Sequence, residues 1–192
     1  MKSERIRCIC EGAVCVALAA ALSYLKIPIG LAFGGFGGSI DLVMLPLIVF
    51  AVRRGTGWGL GAGLIFGTVK YFIGTHNDIS WVSIIFDYSA AYMAVGLAGL
   101  LRRSFAAGKG RALPVGALIG CVFRFLVHFI SGVTVYAQWM PESFMNLTHM
   151  TPPLYSLLYN GTYMLPNTVL AVVLCALLIR PVQALPKSGS AA

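Results

Sequence analysis

The sequence predicts an all-α integral membrane fold, a single membrane domain over residues 1–192 with six transmembrane helices, both termini cytoplasmic, and a re-entrant or lid-like loop between helices one and two. Three observations predict it. Of the 192 residues 58% are hydrophobic and only 10% charged, too little polar surface to clothe a soluble domain of that size. The apolar residues gather into runs of helical length, and six spans of roughly 20 residues use up the chain without leaving room for a separate soluble domain. The basic residues fall in every second connection, as the positive-inside rule requires.

The first span is expected at about 8–25, an alanine-rich run that stops before Pro28, where the missing amide hydrogen and the restricted preceding residue end a helix. Its alanine run shows no distinct small-residue cleavage pattern, so it reads as a retained helix and not a signal peptide. Residues 30–38 are too rich in glycine for a helix yet carry Phe33 and Phe36, which suits an ordered loop at the membrane surface. Helix two then covers 39–52. That is roughly 21 Å at the helical rise, short for a span, and it implies that the preceding loop dips into the membrane.

Arg53, Arg54 and Gly55 break the pattern before helix three at 58–74, where Gly59, Gly61, Gly63 and Gly67 give small-residue spacing for a close helix neighbour. A polar THNDI loop leads into helix four at 81–101, and the basic segment RRSFAAGKGR into helix five at 113–138. Helix six is expected at 154–180. Eleven of the 14 Lys and Arg residues then lie on one side, at the N-terminus, at 53–54, at 102–111 and from 180 on. The opposite loops, 28–38, 75–79 and 139–153, carry none.

The net charge of +8 does not point to nucleic acid, because the basic residues form short topological clusters and no single basic face. Five cysteines without Cys-x-x-Cys spacing indicate neither a disulfide framework nor a zinc site. No Walker A loop is present, so any ATP-driven step needs another subunit. No repeat is visible that would mark an inverted-repeat transporter.

Ionisable groups at membrane depth are costly and mark function, and the short list is Lys70, Asp87, Arg124 and His128. Asp87, followed by Tyr88, needs a cation, either a structural partner such as Arg124 or Lys70, or a ligand. His128, Gly132 and Tyr136 fall on one stripe of helix five, and the glycine would leave a hollow between two rings, a place for a flat aromatic or cationic ligand. On helix six Tyr155, Tyr159 and Asn160 lie near the outer start. An interfacial aromatic belt accounts for Trp58, Trp81 and Trp139, but not for an amide such as Asn160, which needs a partner below the headgroups. Asp87, His128, Tyr136, Tyr155 and Asn160 share one depth on three spans, and the set suits a small, planar, positively charged molecule.

These residues resemble the thiamine-specific substrate-binding subunit (S-component, ThiT-type) of energy-coupling factor vitamin transporters. The likeness rests on HFISGVTVYAQWMP from His128, YSLLYNG from Tyr155, the Asp87-Tyr88 pair and the Ala-x-x-x-Ala pair Ala13 and Ala17. The resemblance implies that Asp87 faces the aminopyrimidine and thiazolium of thiamine, that His128 and Tyr136 line and stack on it, and that Tyr155 and Asn160 hydrogen-bond it. Tyr88 would join them, and the 30–38 loop, with Phe36, would close the site from outside. Ala13 and Ala17 would dock a transmembrane coupling subunit that works with two ATPase subunits. Asp87 stands where the family usually has glutamate, and Tyr136 where it has tryptophan. The implied protein is a transporter part in the plasma membrane of a prokaryote, not an enzyme, with no cofactor of its own. A self-sufficient or proton-coupled carrier for a related cationic or heteroaromatic vitamin precursor is the alternative, and an intramembrane acid–base enzyme lacks a nucleophile or metal set.

Overall fold

The structure is a computed structural model that describes residues 2–29, 37–73 and 81–186. Its elements in chain order are α1 (Lys2–Leu22), β1 (Lys26–Pro28), β2 (Ser39–Asp41), α2 (Met44–Arg54) and α3 (Thr56–Ile73). They continue as α4 (Trp81–Ala106), α5 (Ala112–Thr134), β3 (Ser143–Phe144), β4 (Leu147–Thr148), α6 (Pro152–Leu177) and the short α7 (Ile179–Ala184). The fold is mostly helical, and α4, α5 and α6 are each long and apolar enough to cross a membrane.

The expected second helix over 39–52 is corrected. Ser39–Asp41 is a strand, paired antiparallel with β1 so that Lys26 faces Asp41 and Pro28 faces Ser39. The Asp41 carboxylate accepts the Val43 backbone N–H at 3.2 Å and the Ser39 hydroxyl at 3.1 Å, so a side chain takes the local donors that a helix would have used. Only 11 residues remain for α2, roughly 16 Å of helix. It buries Met44, Leu47, Ile48, Phe50, Ala51 and Val52. A helix apolar on all sides belongs in the middle of a bundle, and α2 is the axis on which the others pack.

Three of the four glycines expected to make a close contact do so. A Cβ on Gly63 would collide with the Tyr92 and Met93 backbone of α4, one on Gly67 with Tyr88 and Ser89, and one on Gly59 with Gly96. Gly61 faces open space. Along α4 the pitch changes: Ile84–Ala90 is π-helical, and Gly96–Leu101 is a 3₁₀ stretch. The wide turn carries Asp87 and Tyr88, a common place for π-bulges at functional sites.

The fifth helix does not run to 138. It ends at Thr134, where the Val135 and Tyr136 amides both turn back to Ser131 O, and a 3₁₀ turn at Ala137–Trp139 follows. The β3–β4 hairpin, unexpected from the sequence, turns on Met145 and Asn146 at φ 52° and 64°, the left-handed pair that tight hairpins need. Pro152 and Pro153 open α6, where missing amide hydrogens cost nothing. Where α1 meets the last turn of α2, Glu11 pairs with Arg53 at 2.8 Å and with Arg54, and Glu4 pairs with Arg54 at 3.0 Å.

Candidate ligand-binding site

One cavity of about 220 Å³ is walled by α3, α4, α5 and α6 and by the β1–β2 ribbon. Six of the seven residues expected to bind the ligand border it: Asp87, Tyr88, His128, Tyr136, Tyr155 and Asn160. Phe36 and Phe33 of the expected closing loop lie outside the described residues; among the described residues of that loop, Gly37 and Gly38 reach the cavity wall. Ala13 and Ala17 are far from it, exposed on α1 beside Val14 and Leu18.

The structural ion pair weighed for Asp87 does not form with Lys70 or Arg124. Instead Asp87 Oδ1 meets His128 Nδ1 at 3.0 Å, and Oδ2 accepts the Ser131 hydroxyl at 3.0 Å. An ionised carboxylate only accepts, so the imidazole proton sits on Nδ1 and Nε2 is left as an acceptor. That Nε2 is buried without a hydrogen-bond partner among the described residues. The carboxylate has about four lone-pair directions, and these two contacts use two of them. The π-helical turn of α4 brings Asp87 to this place, and the one-turn spacing of His128 and Ser131 on α5 meets it.

Lys70 and Arg124 converge elsewhere in the same cavity. Lys70 Nζ donates to the Tyr92 hydroxyl at 2.5 Å and to Asp41 Oδ2 at 3.4 Å. Arg124 donates to the same phenol at 3.0 Å and lies 4.1 Å over the Tyr92 ring. Its Nε and Nη1 are buried with no partner among the described residues.

Gly132 borders the cavity together with His128 and Tyr136, and it also has a packing role. A Cβ there would strike Ser156 Oγ and lie 2.9 Å from Ser156 Cβ, so the glycine is what lets α5 and α6 touch. Tyr136 stands beyond the end of α5, off the helical stripe, and reaches the cavity from the loop with its hydroxyl on Ser83 Oγ at 2.8 Å. On α6, Tyr155 stacks on Tyr159 at 5.6 Å and 11°, and Phe144 of the hairpin meets both edge-on. The buried Tyr155 hydroxyl has no partner among the described residues. Asn160 donates to Ser156 O at 2.9 Å and to His128 O at 3.3 Å, and accepts from the Tyr163 hydroxyl at 2.5 Å. Its amide therefore finds the partner that its depth demanded, and it ties α6 to α5.

The sequence reading missed Asp41, Tyr92, Ser156 and Tyr163. The α6 residues carried a signal, since 155, 159 and 163 repeat every four positions, as do 156 and 160. Asp41 and Tyr92 gave none, because each was counted within an apolar run. Among the described residues no cluster of His, Cys, Asp and Glu could hold a metal ion. The cavity offers a carboxylate, an imidazole acceptor, phenol and guanidinium donors, and flat rings. That set suits non-covalent capture of a planar heterocycle.

The family model described as "Thiamine transporter protein (Thia_YuaJ)" matches residues 9–186. The thiamine transporter ThiT of Bacillus subtilis (strain 168) is 30% identical over 164 residues, 81% of this chain and 82% of that protein. The thiamine transporter ThiT of Lacticaseibacillus paracasei is 29% identical over 183 residues, 89% of this chain and 86% of that protein. A solved structure of ThiT from Listeria monocytogenes superposes with a TM-score of 0.78 at 23% identity, covering 92% of this chain and 95% of that one; the two share a fold. A match over nearly the whole chain, joined to a helical fold with apolar helices of membrane length, makes this chain a member of the thiamine transporter protein family, a family of transporters and not of enzymes.

Proposed function

We propose that the chain is the thiamine-binding subunit of an energy-coupling factor transporter, which captures the vitamin outside the cell and hands it to a separate ATP-driven module. The observation that carries this reading is a cavity lined by residues with buried polar atoms that have no partner among the described residues, His128 Nε2, Tyr155 Oη and Arg124 Nε and Nη1, beside a carboxylate and aromatic faces. Left empty, such groups each cost roughly 1–3 kcal/mol, which a ligand with matching donors and acceptors recovers. Asp87 has lone pairs left for an exocyclic amine and a charge for the thiazolium. Tyr136 and Tyr155 offer faces to the two rings, while Tyr88 and Asn160 complete the wall.

In this reading α1, α2 with the ribbon before it, and α3 join α4, α5 and α6 as six spans. The basic clusters then lie in the cytoplasm of a prokaryotic cell with both termini, and the cavity opens to the outside. The exposed small-residue face at Ala13 and Ala17 would receive the coupling subunit, which works with two ATPase subunits.

Titrating the purified protein in detergent with thiamine, followed by calorimetry and tryptophan fluorescence, should give saturable 1:1 binding. A folded protein that binds no thiamine would overturn the proposal. The buried Asp87–His128 contact also fits the carrier alternative, since it could hold a transported proton. Uptake by vesicles holding this chain alone, driven by a proton gradient, would favour that alternative; uptake only with the ATPase module present supports the first.

A further inference from the structure

The charges that border the cavity do not all serve the ligand directly. Lys70 and Arg124 both line it, and guanidinium is charged at any physiological pH. Asp87 supplies one negative charge within the lining. Lys26 also borders the cavity but is exposed, where water screens it. Counting the imidazole as neutral, the lining alone would hold a buried Arg124 and a half-buried Lys70 against one carboxylate, a poor receptor for a cation.

The balance is restored from behind the wall. Asp41 does not border the cavity, and its side chain is 2% exposed, yet its carboxylate stands 3.4 Å from Lys70 Nζ. The ammonium is held between that carboxylate and the Tyr92 phenol, which Arg124 shares. Asp41 itself is fixed from three directions: Ser39 Oγ and the Val43 amide donate to its side chain, and its own amide donates to Asn167 Oδ1 at 3.0 Å. A carboxylate so held cannot swing into the cavity to meet a ligand, but its field reaches there, because charges inside a protein are weakly screened.

We infer that Asp41 sets the charge specificity of the cavity, as a buried counter-charge that cancels Lys70 and leaves the lining able to accept a positively charged ligand. The inference rests on the proposed thiamine reading and deepens it. Asp41 is a positioning and charge-setting residue, not a ligand contact. One unit charge about 10 Å from a bound cation, at an effective dielectric constant near 20, changes affinity on the order of tenfold. A merely structural role, in which Asp41 holds β2 against α3 and α6, would weaken all ligands alike.

The test titrates wild type, Asp41→Asn, Lys70→Met and the double variant with two probes. One is thiamine, and the other is its neutral isostere with carbon in place of the thiazolium nitrogen. The readout is the ratio of the two affinities. Asp41→Asn should lower the preference for the cation on the order of tenfold, Lys70→Met should raise it by a similar factor, and the double variant should return it close to wild type. An equal loss for both probes in Asp41→Asn, or an unchanged ratio in Lys70→Met, overturns the inference while leaving thiamine binding intact. If Asp41→Asn does not fold, the double variant decides, and a ratio that stays as high there as in Lys70→Met overturns the inference. Wild type that binds neither probe overturns the functional reading itself, before any variant is measured.

Discussion

A single methyl group added at Gly132 should damage both the fold and the site. In Gly132→Ala the new Cβ lands on Ser156 Oγ and within 2.9 Å of Ser156 Cβ, with Asn160 Nδ2 at 3.4 Å. The hydroxyl can rotate away only by leaving Phe129 O, to which it donates at 2.9 Å, a loss of roughly 0.5–1.5 kcal/mol. The Ser156 Cβ has no such freedom, so α5 and α6 must part by several tenths of an ångström, at about 1–3 kcal/mol for an overpacked contact. Together these amount to about 2–4 kcal/mol, on the order of 10 °C in Tm for a chain of this size. Because Asn160 bridges Ser156 and the His128 carbonyl, thiamine affinity should fall as well. Thermal unfolding in detergent with and without thiamine measures both effects. Ser156→Gly in the same chain removes the obstructing atoms and should recover most of the loss, a non-additive pair. A Gly132→Ala protein with unchanged Tm and affinity, or one that Ser156→Gly makes worse, would refute the packing argument.

Asp87→Asn removes the charge that meets His128 and Ser131 and should weaken thiamine binding roughly 10- to 100-fold, the worth of a charged hydrogen bond, with partial recovery in Asp87→Glu; calorimetry measures it. Tyr155→Phe should cost the ligand a single neutral hydrogen bond, about fivefold in affinity, while leaving the ligand-free protein equally or more heat-stable, because the hydroxyl it removes is buried without a partner among the described residues. Arg54→Ala breaks a half-buried pair with Glu11 and Glu4 and should destabilise the fold by about 1–3 kcal/mol without changing thiamine affinity in the surviving folded protein, checked by thermal unfolding and titration side by side. Ala17→Trp, on an exposed helix face, should leave thiamine binding intact and abolish uptake by cells that carry the whole transporter.

Composition and apolar run length were enough to read a helical membrane protein, because lipid imposes a uniform demand on every span. The site was legible to the extent that its residues broke that demand: Asp87, His128 and Asn160 stand out in apolar runs, and all three border the cavity. What the sequence hid was decided by tertiary contact. Asp41 was counted within the expected second helix, and it instead lies on β2 with its carboxylate capturing nearby donors. Tyr92 gave no signal, because Lys70 and Arg124, which donate to its hydroxyl, come from two other helices. Gly132 borders the cavity as its stripe suggested, but its contact with Ser156 stayed hidden, because helical periodicity describes one helix and not its neighbour. Tyr136 reached the cavity by a different path, from a turn beyond the end of α5, where a stripe drawn along the helix no longer applies.

Gly59, Gly63 and Gly67 leave no side chain between the backbones of α3 and α4. Two helices seated backbone on backbone cannot slide or roll past each other without collision, so the pair behaves as one stiff plank. Lys70 is mounted on one edge of it and Asp87 and Tyr88 on the other, at a spacing fixed before any vitamin arrives. The plank is therefore the ruler in this receptor, against which the length of a molecule is measured. A molecule too short to touch both edges of the ruler would gain little from entering between them.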